Sequence, residues 1–158
     1  MTREDDLRFL AEAIAEARQG FAEGGIPIGS VLVVDGQVIG RGHNQRVQQG
    51  NPILHGEMDC MQNAGRQHYS IYRRATIYTT LSPCTMCAGT IIHYGIPRVV
   101  IGENRTVAQT TYCEDWLRGF GVEVINLDSQ ECVDLMNAFI QKAPEIWNED
   151  IGRDHVVD

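Results

Sequence analysis

The run "RVVIG" (98–102) is apolar at nearly every position. A strand with one wet face alternates apolar and polar residues, whereas a strand covered on both faces reads as an unbroken apolar run. This run therefore calls for a sheet with a layer of helices on each side. The remaining sequence supplies the parts. "GSVLVVDGQVIGRG" (29–42) reads as two strands joined at Asp35-Gly36, a pair suited to the positive φ angles of a tight hairpin. Strands are also expected at "ATIYTT" (75–80) and "VEVINL" (122–127). Leu7, Leu10, Ile14, Ala17 and Phe21 recur at steps of three and four, the stripe of a core-facing helix. Thr2 with Asp5 can cap its start, and Gly24-Gly25 can end it. Further helices are expected at 55–65, at 83–95 between Pro83 and Gly95, and at 129–143. In the last of these Cys132, Leu135, Met136, Phe139 and Ile140 form the apolar face. "PEIWNEDIG" (144–152) adds a last turn or short helix. After the first hairpin strands and helices alternate, so the expected fold is α/β, a three-layer α/β/α domain around a mixed sheet of about five strands.

With 158 residues and no repeat, low-complexity stretch or linker, residues 1–158 are expected to form a single domain. The 13 basic and 21 acidic residues give a net charge of −8, with no basic cluster longer than Arg73-Arg74. Phosphate neutralisation dominates nucleic-acid affinity, so nucleic acid is not an expected partner. No apolar run approaches the ~20 residues that span a bilayer, so no membrane is expected either. The start "MTREDDLRF" is acidic and amphipathic, unlike a secretory signal, and points to the cytoplasm. Five cysteines, an odd number without secretory context, suit metal or buried thiols better than a disulfide framework.

Cys84 and Cys87 form a C-x-x-C in "TTLSPCTMCAGTII" (79–92), which alone fits a structural zinc site, a redox pair or a catalytic metal centre. Upstream, "LHGEM" (54–58) sets His55 two residues before Glu57. Both segments fall at expected helix N-termini, whose partial positive charge favours thiolate, the metal-binding form. His55, Cys84 and Cys87 make three ligands. A structural zinc takes four, whereas a catalytic zinc leaves one place for water. Cys60, Cys113, Cys132 and His93 have no spacing that makes an attractive fourth ligand, and the three cysteines among them read as buried thiols. Zinc lowers the pKa of bound water from about 15.7 to ~7, and a carboxylate beside it can move the released proton to a substrate nitrogen. Glu57 is placed for that role. A thioredoxin-type pair has no use for His55-Gly56-Glu57. The combination is the signature of zinc nucleobase deaminases.

These residues resemble the cytidine deaminase-like superfamily, and within it the fungal-type cytosine deaminases. The likeness runs through "EGGIPIGSVLV" (23–33), "GRGHNQR" (40–46), "LHGEMD" (54–59), "YTTLSPCTMCAGTII" (78–92), "YGIPRVVIGEN" (94–104) and "WNEDIG" (147–152). The zinc motif is common to the superfamily, while the GHN and W-x-E-D-I-G segments are narrower. The resemblance implies one zinc ion held by His55, Cys84 and Cys87, with Glu57 as proton shuttle. It implies that Asn44 engages the pyrimidine, its amide offering a donor and an acceptor to O2 and N1–H. It also implies that Asp150 accepts from the exocyclic amine. Ile28, Gly56, Leu81 and Ser82 would form the pocket, closed by Trp147 and Ile151. The implied reaction is hydrolytic deamination of free cytosine to uracil and ammonia, with a small nucleobase as partner and a homodimer as assembly. Val107 is a departure: it stands where the fungal enzymes carry a Phe over the active site, which implies a wider pocket unless Tyr112 fills the gap. Other readings stay open: a deaminase of isocytosine, guanine or cytidine, a zinc-stabilised interaction module without catalysis, and a redox protein. Adenosine in tRNA is disfavoured by the absence of basic clusters.

Overall fold

The computed structural model describes residues 1–107 and 111–153. Five strands, β1 (Gly29–Val34), β2 (Gln37–His43), β3 (Ala75–Leu81), β4 (Arg98–Glu103) and β5 (Glu123–Asn126), form one sheet in the order β2-β1-β3-β4-β5. β1 runs antiparallel to β2 and β3, whereas β3, β4 and β5 are parallel, so the sheet is mixed. The hairpin turns at Asp35 (φ 51°) and Gly36 (φ 78°), the positive pair that the Asp-Gly signal implies.

Helices cover both faces. Cys60 and Ala64 of α3 (Gly56–Ala64), Ala88 and Ile91 of α5 (Thr85–Tyr94), and Leu117 of α6 (Thr111–Gly119) pack with Leu32, Ile77, Val99 and Ile101. On the other face, Phe9, Leu10 and Ile14 of α1 (Arg3–Ala22) and Cys132 of α7 (Gln130–Lys142) pack with Val31, Val33, Tyr78 and Val100. Neighbouring residues such as Val99 and Val100 thus serve opposite cores, the two-residue period of a strand. Every residue of β1 and β3 is buried. Short helices α2 (Arg46–Gln49) and α4 (Tyr69–Tyr72) lie in the connections, and α8 (Pro144–Asp150) follows α7. Among the described residues no helix is long and apolar enough to cross a membrane.

Two expectations need correction. Thr2 and Asp5 do form a capping box on α1, but Leu7 is 50% exposed and does not join the core. The buried face runs through Asp6, Phe9, Leu10, Ala13, Ile14 and Ala17. Asp6 sits inward because its carboxylate accepts from Arg98 Nη1 and Nη2 at 2.8 Å and from Tyr78 Oη at 2.9 Å. Leu7, one step round the helix, is turned outward. The second is α6, which the sequence reading left unassigned. It buries Cys113, Glu114 and Leu117, while Tyr112 and Trp116 are largely exposed, as is Phe120 just beyond its end. Tyr112, Cys113, Trp116 and Leu117 recur at steps of three and four and mark one apolar face, so a helical signal was present in the sequence here.

α3 lies very close on β2. A Cβ on Gly42 would come within 2.3 Å of Cys60 N, so only glycine permits this approach. Because β1 is antiparallel to β3, Ile28 just before β1 and Ser82 just after β3 meet at the same end of the sheet. That is the carboxyl end of the parallel strands, where α/β sheets place their sites.

Candidate active site

His55 is the N-cap residue of α3 and Cys84 that of α5, and neither side chain makes a capping hydrogen bond. Both are left for another ligand. Cys84 Sγ is 3.5 Å and Cys87 Sγ 3.8 Å from His55 Nδ1, and the three donor atoms lie within 4.8 Å of one another. A tetrahedral zinc with Zn–S of about 2.3 Å and Zn–N of about 2.0–2.1 Å sets sulfur and nitrogen donors about 3.6 Å apart. The donor set therefore fits zinc in chemistry and in spacing. Among the described residues these three alone form such a cluster, leaving one coordination position for a non-protein ligand. A hydrogen bond from Cys87 pulls the Cys84 thiol down to about 4, with His55 adding to the effect. Cys87 is pushed well up, since the pair shares one proton and Cys87 is buried. None of the five cysteines is in a disulfide.

Glu57, in the first turn of α3, is 5% exposed. Burial pushes its carboxyl pKa up, and the charge on Cys84 adds to the rise. A carboxyl raised in this way exchanges protons nearer neutral pH. Its Oε1 accepts from Thr79 Oγ1 at 3.2 Å.

His55, Glu57 and Cys84 line a cavity of about 300 Å³. Its apolar walls come from Ile28, Leu81, Val107, Trp147 and Ile151, which also pack together around the N-terminal side of β1 and α8. Ser82, Thr85, Tyr112, Cys113, Asp150 and Gly152 complete it. The volume is at the small end of ligand pockets, which run from roughly 300 to 1,000 Å³. Burial pushes the Asp150 carboxyl up, against the opposing pull of Arg46. Val107 and Tyr112 both stand in the wall, so the smaller side chain and the tyrosine border the same space.

Asn44 and Gly56 are not among the cavity-lining residues. Asn44 is fully buried beside Ile28, whose carbonyl accepts its N–H at 2.9 Å. Gly56 backs onto the same carbonyl, where a Cβ would stand 2.9 Å away. Asn44 Oδ1 accepts from Arg46 N at 3.0 Å, which fixes the orientation of the amide because an N–H requires an acceptor. Nδ2 is then left buried without a protein partner. A buried donor in this state costs about 1–3 kcal/mol unless an acceptor reaches it. The free group of Asn44 is therefore chiefly a donor, not the even donor–acceptor pair read from its residue type.

Several contributors escaped sequence reasoning. Thr79 touches Glu57, and Cys113 lines the cavity. Buried Glu114 accepts from Ser82 Oγ at 2.9 Å and from Asn104 Nδ2 at 3.0 Å, tying α6 to the loop before Cys84. Arg46 pairs with Asp150. Thr79 and Arg46 lie inside "YTTLSPC" and "GHNQR", so position beside the motifs was the available signal.

Residues 3–103 match the family model described as cytidine and deoxycytidylate deaminase zinc-binding region. The chain is 51% identical over 149 residues to a cytosine deaminase of Candida albicans, covering 94% of this chain and 97% of that protein. It is 40% identical over 101 residues to a tRNA-specific adenosine deaminase of Streptococcus pyogenes, covering 63% of each. A solved structure from work on tRNA:A34 deaminases superposes with a TM-score of 0.69 at 27% identity, over 82% of this chain and 99% of that one.

Proposed function

The chain belongs to the family of cytidine and deoxycytidylate deaminases that share this zinc-binding region, and on that premise we propose that it hydrolyses free cytosine to uracil and ammonia. The observation that carries the proposal is the three-donor cluster at zinc spacing, opening with buried Glu57 into a cavity sized for one base. The near full-length likeness to a cytosine deaminase supports the substrate. The net charge of −8 speaks against a polynucleotide.

When bound, zinc supplies the Lewis acid that makes water a nucleophile near neutral pH. Glu57 takes the proton of the attacking water and delivers it to ring N3, which leaves C4 more electrophilic. It then carries a second proton to the exocyclic nitrogen, so that ammonia leaves. The Asp150 carboxylate accepts from that amine and repels the carbonyl that replaces it in uracil. Asn44, behind the cavity wall at Ile28, would reach O2 with its unpartnered Nδ2. Ile28, Leu81 and Trp147 sandwich the ring, Ser82 borders its edge, and Gly56 backs the wall behind Ile28. Residues 1–158 act as one domain in this reading, in the cytoplasm and as a homodimer. A groove that mixes Ile53, Met58, Met61, Tyr69 and Tyr94 with Gln62, Arg66, Gln67 and His68 is the surface this reading assigns to the second copy.

A spectrophotometric panel of free bases and nucleosides on zinc-loaded protein tests the substrate. Turnover of cytosine above the others is expected. Inactivity on cytosine with turnover of isocytosine, guanine or cytidine would replace the substrate and keep the reaction class. Glu57→Ala should keep zinc and lose turnover, and a wild-type rate in that variant would remove the shuttle.

A further inference from the structure

Arg46 opens α2 two residues after Asn44 and contacts both polar residues assigned to the base. Its backbone N–H donates to Asn44 Oδ1 at 3.0 Å. Its Nη1 donates to Asp150 Oδ1, and the same guanidinium reaches the Glu149 carboxylate at 3.3 and 3.4 Å. The Arg46 and Asp150 side chains are 17% and 7% exposed, so their pair is largely shielded from solvent. The other contacts of α8 are of a different kind. Trp147 and Ile151 pack in the apolar cluster with Ile28, Leu81 and Phe139. Apolar contact is non-directional and sets how deep the helix sits more than how it is turned. A guanidinium–carboxylate pair is directional. Arg46 thus supplies the contact that fixes which way Asp150 faces.

We propose that Arg46 is a positioning residue for base recognition: its backbone holds the Asn44 amide and its guanidinium holds the Asp150 carboxylate, so that donor and acceptor keep a fixed separation. This rests on the reading of Asn44 and Asp150 as base contacts. Arg46 itself is not in the cavity wall and takes no part in the proton transfers.

The test is a mutant cycle on the zinc-loaded full chain with Arg46→Gln, Asp150→Asn and the double variant, plus Arg46→Lys. Zinc content, melting temperature, KM and kcat are measured on cytosine. Arg46→Gln should lower kcat/KM roughly 10- to 100-fold, the worth of one charge-assisted hydrogen bond, mainly through KM and with zinc retained. Arg46→Lys should recover part of the loss, because it keeps the charge without the fork. The double variant should be within about threefold of Asp150→Asn alone, because the two side chains act as one unit. Losses that multiply, an unchanged KM in Arg46→Gln, or a fall in kcat alone would each overturn the inference. If Arg46→Gln does not fold, Arg46→Lys decides, and a wild-type KM there refutes the role. Failure of wild-type protein on cytosine with turnover of another base removes only the substrate. The same cycle on that base still decides Arg46.

Discussion

His43 closes β2 immediately before Asn44, and both its ring nitrogens face carboxylates. Nδ1 is 2.8 Å from Glu16 Oε2 and Nε2 is 2.9 Å from Glu23 Oε2. Ionised carboxylates only accept, so these two contacts favour a proton on each nitrogen, while the Gln45 amide nitrogen beside Nε2 opposes the one there. The other polar groups facing it are Gln45 Nε2, 3.1 Å from its Nε2, and Asp59, which accepts its backbone N–H at 3.0 Å. Burial pushes the His43 pKa down, but Glu16 and Glu23 together outweigh it and leave it above the ordinary 6.5. Glu23 is held below its ordinary value chiefly by the same hydrogen bond. A histidine that binds its proton more tightly when folded stabilises the fold fully below about pH 6.5, and that stability is lost as pH rises through the raised value. Two charge-assisted hydrogen bonds at roughly 1.5–3 kcal/mol each are the upper limit. Glu16 and Glu23 are 18% and 36% exposed, and screening by solvent reduces their share. His43→Gln should therefore cost roughly 2 kcal/mol at pH 6, a fall of about 4–8 °C in Tm for a chain of this size. Thermal unfolding of both proteins from pH 6 to 9.5 at fixed zinc reads it. The Tm gap should be widest at pH 6 and narrow as pH climbs. A gap constant with pH, or one that widens, would show a neutral ring and refute the reasoning.

Three further outcomes follow from particular contacts. His55→Ala and Cys84→Ser should each lower zinc affinity by more than the roughly 10- to 100-fold cost of losing an outer-shell partner, read as metal per chain after dialysis; full zinc retention would mean the ion sits elsewhere. Thr79 Oγ1 is 3.2 Å from both Glu57 Oε1 and Leu81 O, and its single proton serves one at a time. Thr79→Val should lower kcat roughly 10-fold with little change in KM, and Thr79→Ser should restore it; an unaltered kcat in the valine variant would separate Thr79 from Glu57. Gly42→Ala drives a Cβ to 2.3 Å from Cys60 N and 2.6 Å from Asp59 C, both backbone atoms of α3. It should cost about 3 kcal/mol in urea unfolding, and a wild-type midpoint would mean that α3 yields without strain.

The elements with sharp punctuation were legible in the sequence. Asp35-Gly36 named the hairpin, Thr2 and Asp5 the start of α1, Gly95 the end of α5 (which starts at Thr85, after Pro83 and the Cys84 cap), and an unbroken apolar strand the two helical layers. The metal ligands were legible because zinc demands particular donors at particular spacings, and His55, Cys84 and Cys87 meet within one ligand sphere. What the sequence hid was pairing across distance. Nothing in "GHNQR" says that Arg46 reaches α8, or that the Asn44 carbonyl oxygen is already engaged. α6 carried a helical stripe in Tyr112, Cys113, Trp116 and Leu117, but nothing in the sequence told that Glu114 is buried, with Ser82 and Asn104 satisfying its carboxylate. Leu7 was misplaced for the converse reason, since an ion pair drew Asp6 inward in its stead.

The hydrogen bonds already spent inside the protein narrow what the site can recognise. Ser82 has given its hydroxyl proton to Glu114, so it can only accept from a ligand. Asn44 is left with its amide donors and Asp150 with carboxylate acceptors. If Asn44 and Asp150 contact the base as proposed, it needs a carbonyl at one edge and an amine at the other, and a nucleoside would have to fit its ribose into the same cavity of about 300 Å³. Cytosine meets the polar demand with O2 and its exocyclic amine. Deamination then turns the group facing Asp150 from donor to acceptor. A carboxylate opposite a carbonyl is two acceptors without a proton between them, which costs rather than contributes binding energy. On the proposed reading, the contact that selects the substrate thus weakens hold on the product, and it does so only while Arg46 keeps the Asp150 carboxylate facing the base.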